Sequence, residues 1–212
     1  MKPVWRVIDT GCLACSQNLA WDKALLFACK EGLIPNTLRF FQFASDCVLL
    51  GHYQIAGQEI RLDFCQKQSI DINRRLTGES TVYWDSSMLG WEVVLHRPEY
   101  AAKQVETLYR QIGAAIIRGL RALGVNAQYR YPAVIELEGR QIGWFSGTRQ
   151  GNAFFYQGYI YVSDINVNTL LRALRIPTEK LINKEINLFR KSLASLDSVL
   201  GETPSLTTTS LR

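Results

Sequence analysis

The chain has 212 residues, of which 47% are hydrophobic and 20% charged, and this balance is typical of a soluble globular protein. No apolar run approaches the length of a membrane span, and the first residues lack a signal-peptide core, so we expect a cytoplasmic protein without a membrane partner. The net charge is +5, but the basic residues are scattered, which argues against a nucleic-acid partner.

The predicted elements alternate between strands and helices along the chain. Alternating or β-rich patterns predict strands over residues 5–8, 37–43, 47–50, 89–95 and 153–162. Helical spacing predicts helices over residues 16–30, with Ser16 as N-cap, and over 58–68, 99–123, 168–174 and 188–200. Residues 134–142 predict a hairpin that turns at Glu138-Gly139.

These elements predict one α+β domain with a mixed β-sheet flanked by helices. We place this domain at residues 1–201. Residues 202–212 are rich in Ser and Thr and form either a disordered tail or the start of a helix that the sequence truncates.

Residues 71–85 predict a strand, a tight polar loop and a second strand. Arg74 and Arg75 precede the loop, and Thr77 and Gly78 open it. Guanidinium groups offer fixed donors, and glycine allows close approach of a ligand to the backbone, so the pattern is compatible with an anion or acyl-adenylate cradle. A charged β-hairpin would have a similar sequence. Since neighbours on a strand alternate faces, we expect the two arginines to point to opposite sides.

Six short motifs follow one another along the chain between residues 5 and 201. They are Asn18-Leu19-Ala20-Trp21-Asp22, Leu49-Leu50-Gly51-His52-Tyr53-Gln54, Arg74-Arg75-Leu76-Thr77-Gly78, Glu138-Gly139-Arg140-Gln141-Ile142, Gln157-Gly158 and Pro177-Thr178-Glu179-Lys180-Leu181. Together they resemble the lipoate-protein ligase and octanoyltransferase family, whose class II synthetase-like catalytic fold biotin-protein ligases share.

The resemblance implies a site that holds a lipoyl or octanoyl group, with ATP as a further substrate in the ligases and no permanently bound cofactor. It implies a carrier partner, either a lipoyl domain or a glycine-cleavage H-type protein, and in some cases a second ligase subunit. The family's glycine loop packs against the acyl chain, and a lysine contacts the acyl carbonyl. Mapped onto this sequence, the acyl- or adenylate-binding positions are Arg74, Arg75, Thr77, Gly78, Glu79, Ser80, Gly143, Trp144, Gln157 and Gly158.

The sequence departs from the family at the site itself. Gln141 stands at the lysine position, which removes the ammonium charge that would stabilise a developing oxyanion. Glu79 and Ser80 replace glycines of the loop, Trp144 stands where a small residue is usual, and Val134 replaces an aspartate. The octanoyltransferases' cysteine also has no counterpart, because this chain has no cysteine after residue 65.

Three hypotheses are compatible with these departures. The chain could be a transferase with reorganised chemistry, in which Gln141 and Arg75 polarise the acyl group. It could be a catalytically silent paralogue that binds an acylated carrier or a partner ligase subunit. Alternatively, Trp144 and Glu79 could reshape the pocket for a shorter or positively charged substrate.

The cysteines lead to a prediction about metal and redox state. There are five, at positions 12, 15, 29, 47 and 65, an odd number without the spacing of a disulfide framework. Cys12 and Cys15 have CxxC spacing, but no second pair supplies the remaining zinc ligands. We therefore expect reduced thiols and no bound metal, to be checked by thiol titration and elemental analysis. Stoichiometric zinc in the purified protein would contradict this prediction.

Overall fold

The computed structural model describes residues 4–97, 105–175 and 183–200, which form the predicted α+β fold. The strands are β1 (Trp5–Leu13), β2 (Asn36–Phe43), β3 (Cys47–Leu50), β4 (Asp71–Arg74), β5 (Val82–Trp84), β6 (Met88–His96), β7 (Gln128–Arg130), β8 (Val134–Leu137), β9 (Arg140–Gln150) and β10 (Ala153–Tyr161). The helices are α1 (Cys15–Lys30), α2 (Ala56–Glu59), α3 (Leu62–Lys67), α4 (Val105–Ala122), α5 (Val167–Ala173), α6 (Asn183–Lys191) and α7 (Leu196–Leu200).

The described strands form two sheets. A seven-stranded sheet has the order β1-β2-β6-β10-β9-β8-β7, and a three-stranded sheet has the order β4-β3-β5. The large sheet is mixed, because β1 and β2 run parallel while its other neighbouring strands run antiparallel. None of the helices in residues 4–97, 105–175 and 183–200 is both long enough and apolar enough to cross a membrane.

The hairpin between β8 and β9 confirms the predicted turn. Glu138 and Gly139 have φ values of +52° and +75°. Positive φ at both central residues is the geometry that continues the twist of two antiparallel strands through a two-residue turn. The turn therefore places Gln141 at the second position of β9.

Helix α4 covers one face of the large sheet. Its buried side chains include Leu108, Ile112 and Leu120, which belong to a core cluster that also contains Trp91 and Phe145. The other face carries α1, whose Leu26 and Cys29 pack against residues of β6 and β10, and next to α1 lies the three-stranded sheet. The candidate site lies on this second face.

The start of α1 differs from the prediction. The N-cap is Ala14, and the predicted cap Ser16 lies inside the helix, because the Gln17 side chain accepts the Ala14 N–H at 3.1 Å and closes the first turn. Cys12 consequently belongs to β1 and Cys15 to α1, so the CxxC segment joins a strand to a helix and is not a loop.

Two predicted helices are each interrupted. The predicted helix 58–68 is split into α2 and α3, because Ile60 is fully buried in extended conformation and pairs with Leu174. The predicted helix 188–200 is split into α6 and α7, because Leu193 forms a β-bridge with Gln141. Strand β7 was not predicted. The predicted start of α4 at residues 99–104, the Pro177–Leu181 motif and the tail 202–212 lie outside the described residues.

A buried cluster around Arg39 fastens α1 to the large sheet. Arg39 Nη1 lies 3.2 Å from Asp22 Oδ1 and 3.0 Å from Glu92 Oε1, and its Nη2 donates to Asn18 Oδ1. All four residues are at most 1% exposed. Asn18 and Asp22 are one helical turn apart, so both reach the same guanidinium group, which explains the spacing of the Asn18–Asp22 motif.

Burial raises the pKa of Asp22 well above its usual range, and the neighbouring Glu92 acts in the same direction. Burial also raises the pKa of Glu92, although a hydrogen bond with Asp22 and the charge of Arg39 oppose the increase. Because one cation faces two carboxyl groups, we infer that Asp22 keeps its proton and that Glu92 balances Arg39.

We predict that Asp22→Asn changes how stability depends on pH. The unfolded chain releases the Asp22 proton at about pH 4 while the folded chain retains it, so this contribution to stability falls as pH rises above that value. An asparagine side chain cannot ionise. As pH rises above that value, the free energy of unfolding of the variant should therefore increase relative to that of the wild type, by up to about 1.4 kcal/mol per pH unit. Urea denaturation at several pH values would measure the shift.

The matched control is Asp63→Asn, the same substitution at an exposed position. A pH profile of Asp22→Asn that runs parallel to the wild type would mean that Asp22 is ionised in the folded protein.

Candidate functional site

Thr77 fixes the loop between β4 and β5 to the large sheet. Its side chain is fully buried, and its Oγ1 accepts from Arg75 Nε at 3.0 Å and from Gln157 Nε2 at 3.1 Å. Ser146 Oγ on β9 lies 2.7 Å from the same oxygen. A hydroxyl accepts two hydrogen bonds and donates one, so the capacity of Thr77 is filled. The predicted site residues Thr77 and Gln157 are therefore brought together beneath the loop.

Arg75 holds the loop from inside. It is 2% exposed, its Nη1 donates to the Leu49 carbonyl at 3.0 Å, and its Nη2 donates to the Gly78 and Ser80 carbonyls, each at 2.6 Å. Burial lowers the pKa of Arg75 to about 10, so the group is charged at neutral pH. Most of its donors serve main-chain carbonyls, which makes Arg75 a loop-positioning residue in this structure.

Arg74 lies on the opposite, exposed side, in agreement with the expected alternation. Its Nη1 donates to the carbonyls of Gly51, His52 and Gln54 at 2.7–3.1 Å. Arg74 thus shapes the neighbouring loop 51–54.

Glu79 occupies a position that favours glycine. Its φ is +69°, in the left-handed region that costs a side-chain-bearing residue free energy. Burial raises the pKa of the Glu79 carboxyl, while the charge of Arg75 and a hydrogen bond from Trp144 act in the opposite direction. The Trp144 ring lies 5.2 Å from the Arg75 guanidinium carbon. Three of the predicted site residues therefore form one local cluster of cation, carboxylate and indole.

Gln141 lines a cavity of about 530 Å³ that also contacts Ser80 and Trp144. Its side-chain Nε2 donates to the Tyr159 hydroxyl at 3.3 Å. Its main chain is fixed on both sides, because Gln141 N donates to the Ser192 carbonyl at 2.8 Å and Ala194 N donates to the Gln141 carbonyl at 3.0 Å.

Aromatic side chains form one part of the cavity wall. Tyr159 packs against Trp84 and Tyr161 at ring distances of 5.2 and 5.0 Å, and Trp144 lies 6.4 Å from Tyr159. The aromatic cluster continues to Phe41 on β2, so side chains fill much of the space between the two sheets. Sequence reasoning missed Tyr159 and Tyr161, although their alternation along β10 was a usable signal.

Gly143 and Gly158, both predicted as ligand-contacting, are packed inside the sheet. A Cβ on Gly143 would lie 2.5 Å from the Tyr159 carbonyl oxygen, and one on Gly158 would lie 2.3 Å from the Trp144 carbonyl oxygen. Close contact with the neighbouring backbone therefore explains why both positions are glycine. Gly78, by contrast, borders open space.

The buried thiols are poorly suited to nucleophilic chemistry. Burial raises the pKa of Cys29, Cys47 and Cys65, and in Cys47 a hydrogen bond with Cys15 adds to the increase. A raised pKa reduces the thiolate fraction, which is the reactive form. Within residues 4–97, 105–175 and 183–200, no three His, Cys, Asp or Glu residues are arranged to hold a metal ion.

Known proteins share this fold. A structure of an archaeal bipartite lipoate protein ligase and its E2 lipoyl domain, from Thermoplasma acidophilum, superposes with a TM-score of 0.85 at 23% identity, covering 97% of this chain and 80% of that one. A structure of lipoate-protein ligase A bound with ATP superposes with a TM-score of 0.77 at 21% identity, covering 100% and 83%. These likenesses confirm the predicted ligase-like fold.

Sequence comparison gives the family. Octanoyltransferase LipM of Geobacillus kaustophilus is 27% identical over an alignment of 228 positions, gaps included, that covers 97% of this chain and 82% of that protein. The family model for the lipoyl protein ligase A/B catalytic domain matches residues 14–210. This chain therefore belongs to the lipoyl protein ligase A/B catalytic domain family.

Proposed function

We propose that this protein binds a lipoyl or octanoyl group in the cavity beside Gln141, together with the carrier protein that bears the group, and that it has lost conventional lysine-dependent transfer. The observation that carries the proposal is the neutral pair of Gln141 and Tyr159, joined by a 3.3 Å hydrogen bond, in the wall of the cavity.

The similar proteins support the ligand and partner classes. The relative named octanoyltransferase suggests an octanoyl group, and the archaeal ligase with its lipoyl domain suggests a lipoyl-domain carrier. A glycine-cleavage H-type protein is a second candidate carrier. That archaeal ligase is described as bipartite, which makes a second ligase subunit a candidate partner here. ATP, bound in the structure of lipoate-protein ligase A, would serve as a substrate and not as a permanent cofactor.

The chemistry of the described residues supports a loss of conventional transfer. Removing one preorganised electrostatic stabiliser typically costs about 10²–10³ in rate. Arg75 is a poor replacement for the missing lysine, because its donors are directed at loop carbonyls. Arg140, the neighbour of Gln141, interacts with Glu138 at 3.3 Å and lines a different cavity.

A transferase with reorganised chemistry is the second candidate. The observation that favours it is the Tyr159 hydroxyl, which could act with the Gln141 amide as a pair of neutral donors to the acyl carbonyl. An assay of acyl transfer to a lipoyl domain separates the two candidates.

We predict that the wild type and the Gln141→Lys variant show no measurable acyl transfer. In the lysine variant the Arg75–Glu79–Trp144 cluster would remain, and Trp144 would still occupy cavity volume. The variant that combines Gln141→Lys, Glu79→Gly, Ser80→Gly and Trp144→Gly should transfer measurably. The effects should be strongly non-additive, because the four residues act on one bound group.

The measurement is intact-mass analysis of a lipoyl domain incubated with each protein and either ATP and lipoate or an octanoyl-carrier protein. The matched control is the triple variant that retains Gln141, and denaturation curves would show that each variant is folded. Robust turnover by the wild type would establish the reorganised enzyme, and turnover by Gln141→Lys alone would show that the altered loop is no obstacle.

A further inference from the structure

We infer that a second cavity, on the face of the large sheet that α4 covers, binds one alkyl chain whose polar end stays in water. This cavity has a volume of about 470 Å³ and lies between α4 and strands β1, β2, β6 and β10. No described residue lines both this cavity and the one beside Gln141. The inference therefore goes beyond the proposed function and does not depend on it.

The first step concerns the position of α4, which leaves space on one side. Gly113 of α4 packs on Tyr129 of β7, and a Cβ on Gly113 would lie 2.6 Å from the Tyr129 ring. This contact holds α4 close to the β7 edge of the sheet. The part of α4 that borders the cavity carries the small residues Ala115, Gly119 and Ala122, so space remains between the helix and the strands nearer β1.

The second step concerns Gly119, which lies in the interior of α4. Its backbone is helical, and a Cβ there would meet no atom within 4 Å. Unlike Gly113, it is therefore required neither by backbone conformation nor by a close neighbour. Glycine is less favourable than alanine inside a helix, so this residue costs stability while it enlarges the cavity.

The third step concerns the chemistry of the wall. Across residues 4–97, 105–175 and 183–200, no charged, amide or hydroxyl side chain lines the cavity. A polar group that entered it would lose hydration without a side-chain partner, whereas an alkyl chain gains free energy by leaving water. The volume of about 470 Å³ is within the range of about 300–1,000 Å³ that is typical of small-molecule sites.

The fourth step concerns access. Trp5 and Leu123 are 46% and 40% exposed, whereas Trp91 and Leu196, which line the same cavity, are 6% and 0% exposed. The wall therefore extends from the surface to the core. This arrangement suits a ligand with one polar end, because that end remains hydrated while the alkyl chain is buried.

The test is isothermal titration calorimetry of the whole protein with 1-octanol and with 1,8-octanediol. We expect one saturable site for octanol, with a negative heat-capacity change because apolar surface is buried. The diol should bind at least about tenfold more weakly, because its second hydroxyl would be buried against a wall without polar side chains.

Two variants that fill the space assign the binding to this cavity. Gly119→Leu and Ala115→Leu should each weaken octanol binding at least about tenfold. Gly119→Leu should also raise the midpoint of thermal denaturation, because leucine is the better helix former. The matched control is Ala114→Leu, which introduces the same side chain at an exposed position of α4 outside the cavity and should leave octanol binding unchanged.

Three outcomes would overturn the inference. The first is a wild type that binds no octanol, or that binds the diol as tightly as octanol. The second is octanol binding that survives both Gly119→Leu and Ala115→Leu, or that Ala114→Leu weakens as much. The third is octanol binding that only Gln141→Lys abolishes, which would place the chain in the cavity beside Gln141 and would support the proposed function instead.

Discussion

The hydroxyl of Thr77 joins the two sheets, and the site depends on this connection. One oxygen atom receives Arg75 from its own loop and Gln157 from the large sheet, and it pairs with Ser146 on the next strand. Since all of these groups are buried, losing one partner would leave the others without hydrogen bonds in an apolar environment. These hydrogen bonds fix the loop between β4 and β5 as a wall of the cavity, and Arg75 donates to the loop carbonyls from the buried side.

Apart from Arg75, a second group of buried charges lies away from this wall. Arg39, Asp22 and Glu92 are buried where α1 meets the large sheet, and the guanidinium group of Arg39 contacts both carboxyl groups. Near the cavity, Arg75 is balanced by Glu79 and covered by Trp144. Charge thus contributes to the scaffold, while Gln141 and Tyr159 bring an amide and a phenol to the cavity wall.

Local signals made much of the fold predictable. The Glu138-Gly139 pair between two apolar runs indicated the hairpin, and strand alternation separated Arg74 from Arg75. Sequence spacing failed where a tertiary contact interrupts a local pattern. Ile60 has helical spacing with Phe64, yet pairing with Leu174 holds it extended, and Leu193 is drawn out of a helix by Gln141.

The site was predictable in its positions and less so in its contacts. The resemblance identified Gln141, Glu79 and Trp144, and the structure places them around one loop and cavity. Gly143 and Gly158 serve close packing of strands, which a motif cannot distinguish from contact with a ligand. Tyr159 was missed because its partner Gln141 lies on another strand, and cross-strand neighbours cannot be read from a single sequence without knowing the register.

The main-chain bonds of Gln141 have a consequence for how such a site can change over evolution. The main-chain N–H of Gln141 donates to the Ser192 carbonyl, and the Gln141 carbonyl accepts from the Ala194 N–H. The position of the Gln141 Cα is therefore fixed by main-chain hydrogen bonds and does not depend on the side chain. Whatever residue a mutation introduces there is presented to the same point of the cavity. The side chain at position 141 can therefore be exchanged by a single substitution without removing the main-chain hydrogen bonds that hold this part of β9 against residues 192–194.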